Sequence, residues 1–306
     1  MRQSESTHFK ANDAHSYDPV AVAFARFTDR FSAPLADRLI ALACLRPSDR
    51  VLDVGTGTAV VALRVVDSVQ PQGTVVGIDL SAGMLEVARA QAVRQAAAAP
   101  LHFCRMDAEQ LALRTESFDA VLSLFALLHL PNALAALEEM HRVLRPGGRL
   151  VVAVGSGPPW LSVAGLLHRI ARLPDAARAV LGKDLVAPQF LDRFIERALP
   201  SARSSDALPA HGHPSRVVPA LIRAAGFQGV RTSWQGHVGV VESAESFWEL
   251  QATFSSVARK RLAATRSEDV ERMRADFLRR CRTVQEHGGR LLFPHAALFV
   301  TARRAT

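Results

Sequence analysis

Ten residues constrain this chain more than any others: Arg50-Val51-Leu52-Asp53-Val54-Gly55-Thr56-Gly57-Thr58-Ala59. An apolar run carrying one acid meets two glycines one residue apart, and an apolar helical pattern follows from Val60. That order reads as a buried strand turning tightly into a helix. Gly55 and Gly57 remove side chains where the backbone must bend, and they let a polar or negatively charged ligand group approach the amides at the helix start.

Further along, strands and helices alternate at short range. The apolar runs Val51–Val54, Thr74–Asp79, Leu101–Met106, Phe118–Phe125 and Arg149–Val154 read as strands, with helices starting from Thr58, Ser81 and Asn132. Alternation of this kind calls for a parallel sheet with helices on both faces. Ser81 is a good N-cap, and Pro146-Gly147-Gly148 ends one helix and starts the next strand. Before this core, residues 1–13 look loosely held. Val20, Phe24, Phe27, Phe31, Leu35, Leu39 and Leu42 then recur at three- and four-residue spacing, giving two amphipathic helices interrupted by Pro34.

After Val154 comes the linker Gly155-Ser156-Gly157-Pro158-Pro159, and residues 160–210 form a helical stretch ending in the loop Pro209–Pro214. The core pattern resumes with a helix over Ser215–Ala225 and a strand over Gly229–Val241. A second helical stretch (Ser243–Gln285) and a strand over Arg290–Arg303, broken by Pro294, complete the chain. The expected division is an N-terminal helical cap (1–45), a core (46–155), a helical lid insert (156–213), and the rest of the core (214–306) with a helical insert at 243–287.

An Asp two residues before the first glycine, with Ala59 closing the turn, is the D-x-G-x-G-x-A pattern of S-adenosylmethionine (SAM) methyltransferases. A dinucleotide fingerprint would place a third glycine at position 60, which is Val60. Val75-Val76-Gly77-Ile78-Asp79 puts an acid at a strand end, where a carboxylate accepts both ribose hydroxyls, a feature shared with NAD sites. Phe103-Cys104-Arg105-Met106-Asp107-Ala108 puts another at the end of the next strand, placed to accept a bond from an adenine amino group. Leu80 and Met84 are placed to pack on the ring.

With Asp79–Leu85, Ser117–Asn132 (which includes Ser123) and Glu139–Gly148, these stretches closely resemble the class I SAM methyltransferases typified by the ubiquinone/menaquinone-biosynthesis C-methyltransferases. The resemblance is specific from about Arg50 to Val154. It implies an α/β, Rossmann-like sheet in the order 3-2-1-4-5-7-6 with the last strand antiparallel. It also implies that Gly55 and Gly57 line the methionine portion of SAM, with Asp53 near its amino group. Asp79 would hold the ribose, Asp107 with Ala108 the adenine, and Ser123 would join the cofactor set. The N-terminal helices of such proteins fold over the cofactor, which places Tyr17 as a candidate contact.

An activated methyl donor asks only for alignment of a nucleophile and exclusion of water, so a catalytic side chain is not obligatory. Where the acceptor is a phenol or alcohol a base helps, and His129, just beyond the fourth strand, leads the candidates. His211 and His213 follow, then His237 and His295. The aromatic residues of the two inserts (Trp160, Phe190, Phe194, Phe247, Trp248 and Phe254) fit a small, largely apolar acceptor, an aromatic or polyketide-like metabolite ahead of a quinone precursor, and equally fit plain helix packing.

The alternatives are an NAD-dependent oxidoreductase, which would not need Asp107-Ala108, and a non-catalytic SAM-binding protein. The net charge of +8 raises nucleic acid as a partner. Lysine, however, occurs only at Lys10, Lys183 and Lys260, and the densest basic run, Arg259-Lys260-Arg261, has no interleaved aromatics, so no nucleic-acid partner is expected. Cys44, Cys104 and Cys281 are few and far apart, giving neither a disulfide framework nor a zinc cluster, and His211-x-His213 has no further ligand at metal spacing. No apolar run spans a membrane and the N-terminus is polar, so a cytoplasmic protein is expected.

Overall fold

The computed structural model describes residues 3–95, 100–157, 184–186, 189–198 and 214–306. The chain forms two units: residues 1–156, 208–235 and 297–306 make the first, and residues 157–207 and 236–296 the second.

Strand register in the first unit follows from two-sided burial. In β1 (Arg50–Val54), Leu52 and Val54 face one apolar cluster while Val51 faces another. The same alternation separates Leu150, Val152 and Val154 from Val151 and Ala153 in β5 (Leu144–Gly155). It also separates Leu298, Val300 and Ala302 from Ala297 and Phe299 in β8 (Leu291–Arg303). A strand apolar on both faces must be covered on both faces, which is the parallel-sheet solution. β2 (Thr74–Asp79), β3 (Leu101–Arg105) and β4 (Phe118–Leu124) complete that part of the sheet, with β1 parallel to β2 and β4, β2 to β3, and β4 to β5. β8 runs antiparallel beside β5, pairing Arg149 with Arg303 through to Gly155 with Ala297.

The order is β3-β2-β1-β4-β5-β8, and β8 pairs in addition with β7 (Gln228–Val241) and with the short β6 (Leu185–Val186). Setting aside the two-residue β6, this is the expected 3-2-1-4-5-7-6 sheet with its last strand antiparallel. Pro294 does not break β8. It falls between Leu291–Leu292, which pair with β6, and Ala297–Arg303, which pair with β5.

Three helices around this sheet start as their capping chemistry requires or end on a left-handed residue. α5 (Ala82–Gln95) begins where the Ser81 hydroxyl accepts the Met84 amide. α6 (Ala133–Val143) begins where Asn132 Oδ1 accepts the Ala135 amide. α3 (Ala33–Ala43) carries Pro34 in its first turn, so this proline opens a helix and does not interrupt one, and it ends on left-handed Cys44. α4 spans Ala62–Val69, and α8 spans Pro214–Ala224.

The N-terminus differs from expectation. Residues from Gln3 are helical: α1 spans Gln3–Tyr17, and a short 3₁₀ turn (Asp18–Val20) leads into α2 (Ala21–Phe27). At the other end, Arg304 Nη1 donates to the carbonyls of His141, Arg142 and Leu144, and Arg304 Nη2 to Glu116 Oε1. The carbonyls at the end of α6 thereby find a cationic donor.

The second unit holds α7 (Gln189–Ala198), α9 (Ala244–Phe254), α10 (Ser256–Ala263) and α11 (Ser267–Glu286). Phe277 of α11 is the centre of its packing: the rings of Phe190 and Trp248 lie 5.1 Å from it, Phe194 at 5.8 Å and Phe247 at 6.0 Å. Buried Gln251 ties two helices, accepting the Leu191 amide and donating to the Phe247 carbonyl. Among the described residues, no helix is long and apolar enough to cross a membrane and no His/Cys/Asp/Glu group could hold a metal ion.

Candidate functional site

The glycine turn is longer than its sequence implies. Gly55 (φ +72°), Gly57 (φ +53°) and Ala59 (φ +72°) all adopt the left-handed conformation, so α4 starts at Ala62 and not at Thr58. The turn is held to the end of β2: the Gly55 and Thr56 amides donate to the Ile78 carbonyl, at 2.9 and 2.8 Å. The Gly57 amide donates to Asp79 Oδ2 and the Ser81 amide to Asp79 Oδ1, each at 2.9 Å. The first acceptor the glycine amide meets is thus a carboxylate on the next strand.

Two acids lie under this turn. Asp53 is 1 % exposed; its Oδ2 accepts the Thr56 hydroxyl at 2.7 Å, and its Oδ1 is buried with no donor among the described residues. Burial pushes the Asp53 carboxyl up to about 7, with the neighbouring charge of Asp79 adding to it, against the Thr56 hydroxyl and the Ala62 amide, which favour the charged form. Asp79 is half-buried, and burial raises its carboxyl as well, with Asp18 adding in the same direction. A buried acceptor lacking a donor beside a second carboxylate is chemistry that asks for a cation.

The N-terminal segment closes the other sides. Asp18 Oδ1 accepts the Ser81 hydroxyl at 2.6 Å and the Gly83 amide at 2.9 Å, capping α5; a Cβ on Gly83 would lie 2.9 Å from the Asp18 Cα. Tyr17 sits edge-on to Phe24 and to His129, with ring centroids 5.9 and 6.4 Å away. His129 ends a 3₁₀ turn (Leu127–His129) beyond β4, with its Nδ1 3.9 Å from Asp13 Oδ2.

Lys10 of α1 reaches Asp107 Oδ2 at 2.6 Å and Glu109 Oε2 at 2.9 Å. Burial works against the Lys10 charge, but the two carboxylates outweigh it and hold the ammonium above its ordinary pKa. Leu80, whose carbonyl accepts Arg105 Nε, is half-buried, while Met84 and Ala108 are buried.

The structure therefore groups Tyr17, Asp53, Gly55, Gly57, Asp79, Leu80, Asp107 and His129 at the carboxyl ends of β1 to β4 and under the N-terminal helices. Ser123 stands apart. It is fully buried, and its hydroxyl donates to the Val54 carbonyl at 2.9 Å, joining β4 to β1 inside the sheet, so it is not free to meet a ligand. The sequence reading missed Lys10, Asp13 and Asp18. Only Asp18 left a trace there, in the Tyr17-Asp18-Pro19 context, because the others depend on contacts across some hundred residues of chain.

Of the residues expected to line an acceptor pocket, Phe190, Phe194, Phe247 and Trp248 are spent on packing around Phe277. Phe254 instead stacks on Phe293, 5.6 Å away, and lies 5.8 Å from His295, which stands 6.0 Å from His237. Burial, with His237 beside it, pushes the His295 imidazole down to about 3, so it is neutral at physiological pH. Trp160, His211 and His213 lie outside the described residues.

Comparisons with known proteins identify the family of the chain. A family model described as "Methyltransferase domain" matches residues 52–152. The chain is 34% identical over 197 residues to a ubiquinone/menaquinone biosynthesis C-methyltransferase UbiE of Ectopseudomonas mendocina, covering 59% of this chain and 77% of that protein. It is 34% identical over 148 residues to the UbiE of Coxiella burnetii, covering 47% of this chain and 59% of the relative, so it spans little more than half the length of that protein. In fold it is similar to a Bacillus halodurans C-125 crystal structure described as a methyltransferase, with a TM-score of 0.54 and 21% identity, covering 89% of this chain and 99% of that one.

Proposed function

The chain belongs to the class I SAM-dependent methyltransferase family, in the group resembling UbiE, and from that premise we propose that it binds SAM and transfers its methyl group to a small, largely apolar acceptor. One observation carries the cofactor reading: the buried Asp53 Oδ1 has no donor among the described residues and sits beside a second carboxylate. The ammonium of the methionine moiety supplies the missing donor and the missing charge. A dinucleotide would bring a pyrophosphate to the same turn, beside the buried Asp53 carboxyl; this, with the family, disfavours the NAD-dependent alternative.

SAM supplies an electrophilic methyl carbon with a neutral leaving thioether. The residues then divide the remaining work. Gly55 and Gly57 leave room beside the turn, Asp79 accepts ribose hydroxyls through lone pairs left over from its two amide bonds, and Asp107 reads the adenine. The segment from α1 to Asp18 excludes water. His129, oriented by Asp13, takes a proton from the acceptor. On a hydroxylated ring that single proton transfer activates both the phenolic oxygen and the adjacent ring carbon, so oxygen and carbon methylation share one requirement. The quinone-ring relatives favour the carbon outcome.

The direct test is calorimetric titration with SAM, S-adenosylhomocysteine and NADH, followed by mass spectrometry of hydroxylated aromatics and reduced quinones incubated with SAM. Binding of the first two ligands and a product heavier by one methylene are expected. Binding of NADH alone would overturn the cofactor assignment, and tight SAM binding with no product from any acceptor would favour a non-catalytic SAM-binding protein.

Two further outcomes follow from the acids. Asp79→Asn keeps an acceptor oxygen for one of the Gly57 and Ser81 amides and loses the charge, and we expect SAM affinity to fall by about 1.5–3 kcal/mol, the range for hydrogen bonds to a charged group. Undiminished affinity in the folded variant would remove Asp79 from the site.

Asp53 makes binding proton-linked. Its folded carboxyl lies near 7, above its unfolded value, so below that pH it is protonated and must lose its proton to pair with a cation. Affinity should therefore rise with pH up to about 7 and level off above it, with a slope near tenfold per unit on the acid side. Calorimetry at several pH values in wild type and Asp53→Asn checks this: the variant should lose the slope, and a flat wild-type profile would refute the linkage.

A further inference from the structure

We propose that Lys10 is a positioning residue for the nucleobase end of the cofactor site: it holds the Asp107 and Glu109 side chains together and in place, so that Asp107 selects a ring carrying an exocyclic amino group over one carrying a carbonyl. The inference rests on the SAM reading above and goes beyond it, because it concerns how α1 sets the specificity of a carboxylate on another element.

The geometry is a three-point bridge. The Lys10 ammonium is 2.6 Å from Asp107 Oδ2 and 2.9 Å from Glu109 Oε2, and all three side chains are largely shielded, at 13, 27 and 9 % exposure. The remaining oxygens are engaged by backbone: Asp107 Oδ1 accepts the Glu109 amide and Glu109 Oε1 accepts the Asn132 amide, each at 2.9 Å. Both carboxylates are thereby oriented, and each Asp107 oxygen keeps a lone pair for a further donor.

Lysine suits this position in an arginine-rich chain. A compact ammonium with three donors can face two carboxylates at once, whereas a planar guanidinium docks best on one. Take the cation away, and two poorly solvated acids are left facing each other. Like charges so placed repel, and the more exposed of the two, Asp107, swings away. An Asp107 that has swung away no longer accepts the adenine amino group, so a ring bearing a carbonyl there is no longer the poorer ligand. Lys10 thus decides whether Asp107 reads the ring edge.

Calorimetric titration with S-adenosylhomocysteine and with S-inosylhomocysteine, which carries a carbonyl in place of the amino group, tests this on the full chain. Wild type should prefer the adenine compound by about a hundredfold or more, as expected where a buried acceptor would be left facing another acceptor. Lys10→Met should cut that preference at least about tenfold, because Asp107 is no longer held in place. Lys10→Met combined with Glu109→Gln should recover most of it, since the offending like charge is gone. Lys10→Gln serves in the same comparison if the methionine variant does not fold, as judged by thermal melting.

An unchanged ratio in Lys10→Met overturns the proposal, whether both nucleosides bind as before or both weaken equally; equal weakening would mean that α1 only covers the site. A wild-type protein that binds neither nucleoside would instead overturn the SAM reading itself.

Discussion

Gly55→Ala should cost about 2–5 kcal/mol of stability, combining a left-handed backbone penalty of roughly 1–2 kcal/mol with overpacking of roughly 1–3 kcal/mol. A Cβ at this position would sit 2.2 Å from the Cβ of Ala126, so either the turn after β1 or the turn after β4 must move. In a unit of this size the melting temperature should fall by about 5–15 °C. Gly57→Ala is the control: its φ is also left-handed, but the nearest atom to the new Cβ would be Phe24 Cε1 at 3.9 Å, an ordinary contact. Only the conformational term of roughly 1–2 kcal/mol remains there. Equal losses from the two variants would mean that the close approach of the two turns does not limit this fold.

His129→Asn should lower the turnover of an acceptor that must lose a proton by about 10²–10⁴-fold, the usual range for a general base. Asparagine keeps a polar group near Asp13 but accepts no proton at neutral pH. SAM binding should stay within a factor of a few, because the cofactor contacts assigned above belong to other residues. Turnover close to wild type would remove His129 from the chemistry and leave alignment as the whole of the catalysis. An equal loss in SAM affinity would make it part of the packing beneath Tyr17.

The parts of this molecule that sequence made legible are those decided locally or by two-sided burial. Thr74–Asp79 is a strand end to end because Val75 and Ile78 are buried and an acid stops the run, and Ser81, Asn132 and Ser243 cap helices with their own side chains. The positions of the proposed site acids were legible for the same reason: Asp79 ends β2, Asp53 is the last but one residue of β1, and Asp107 lies two residues beyond β3.

What was not legible depends on the tertiary environment. Alanine favours helix, so nothing local announces that Ala59 is left-handed and delays α4 to Ala62. Ser123 looks like a ligand in a strand that ends at the site, yet its hydroxyl turns into the gap between β4 and β1 to satisfy a carbonyl there. α1 is largely polar and has no continuous apolar stripe to reveal it. Lys10, Asp13 and Tyr17 anchor it to partners near the distant strand ends, and a one-dimensional pattern carries no trace of such pairs.

The place of β8 also bears on how the molecule can be made. Every residue assigned to the cofactor, from Tyr17 to Ala108, and His129 after them, leaves the ribosome well before Leu291–Arg303, yet β5 gains its second neighbour only when that strand arrives. Until then the nascent chain carries an apolar strand with one open edge, a template for joining another chain. Translation stalled before residue 291 should therefore yield a protein prone to aggregate even though its glycine turn and acids are already complete. Arg304, gripping three carbonyls at the end of α6, would be among the last contacts to form.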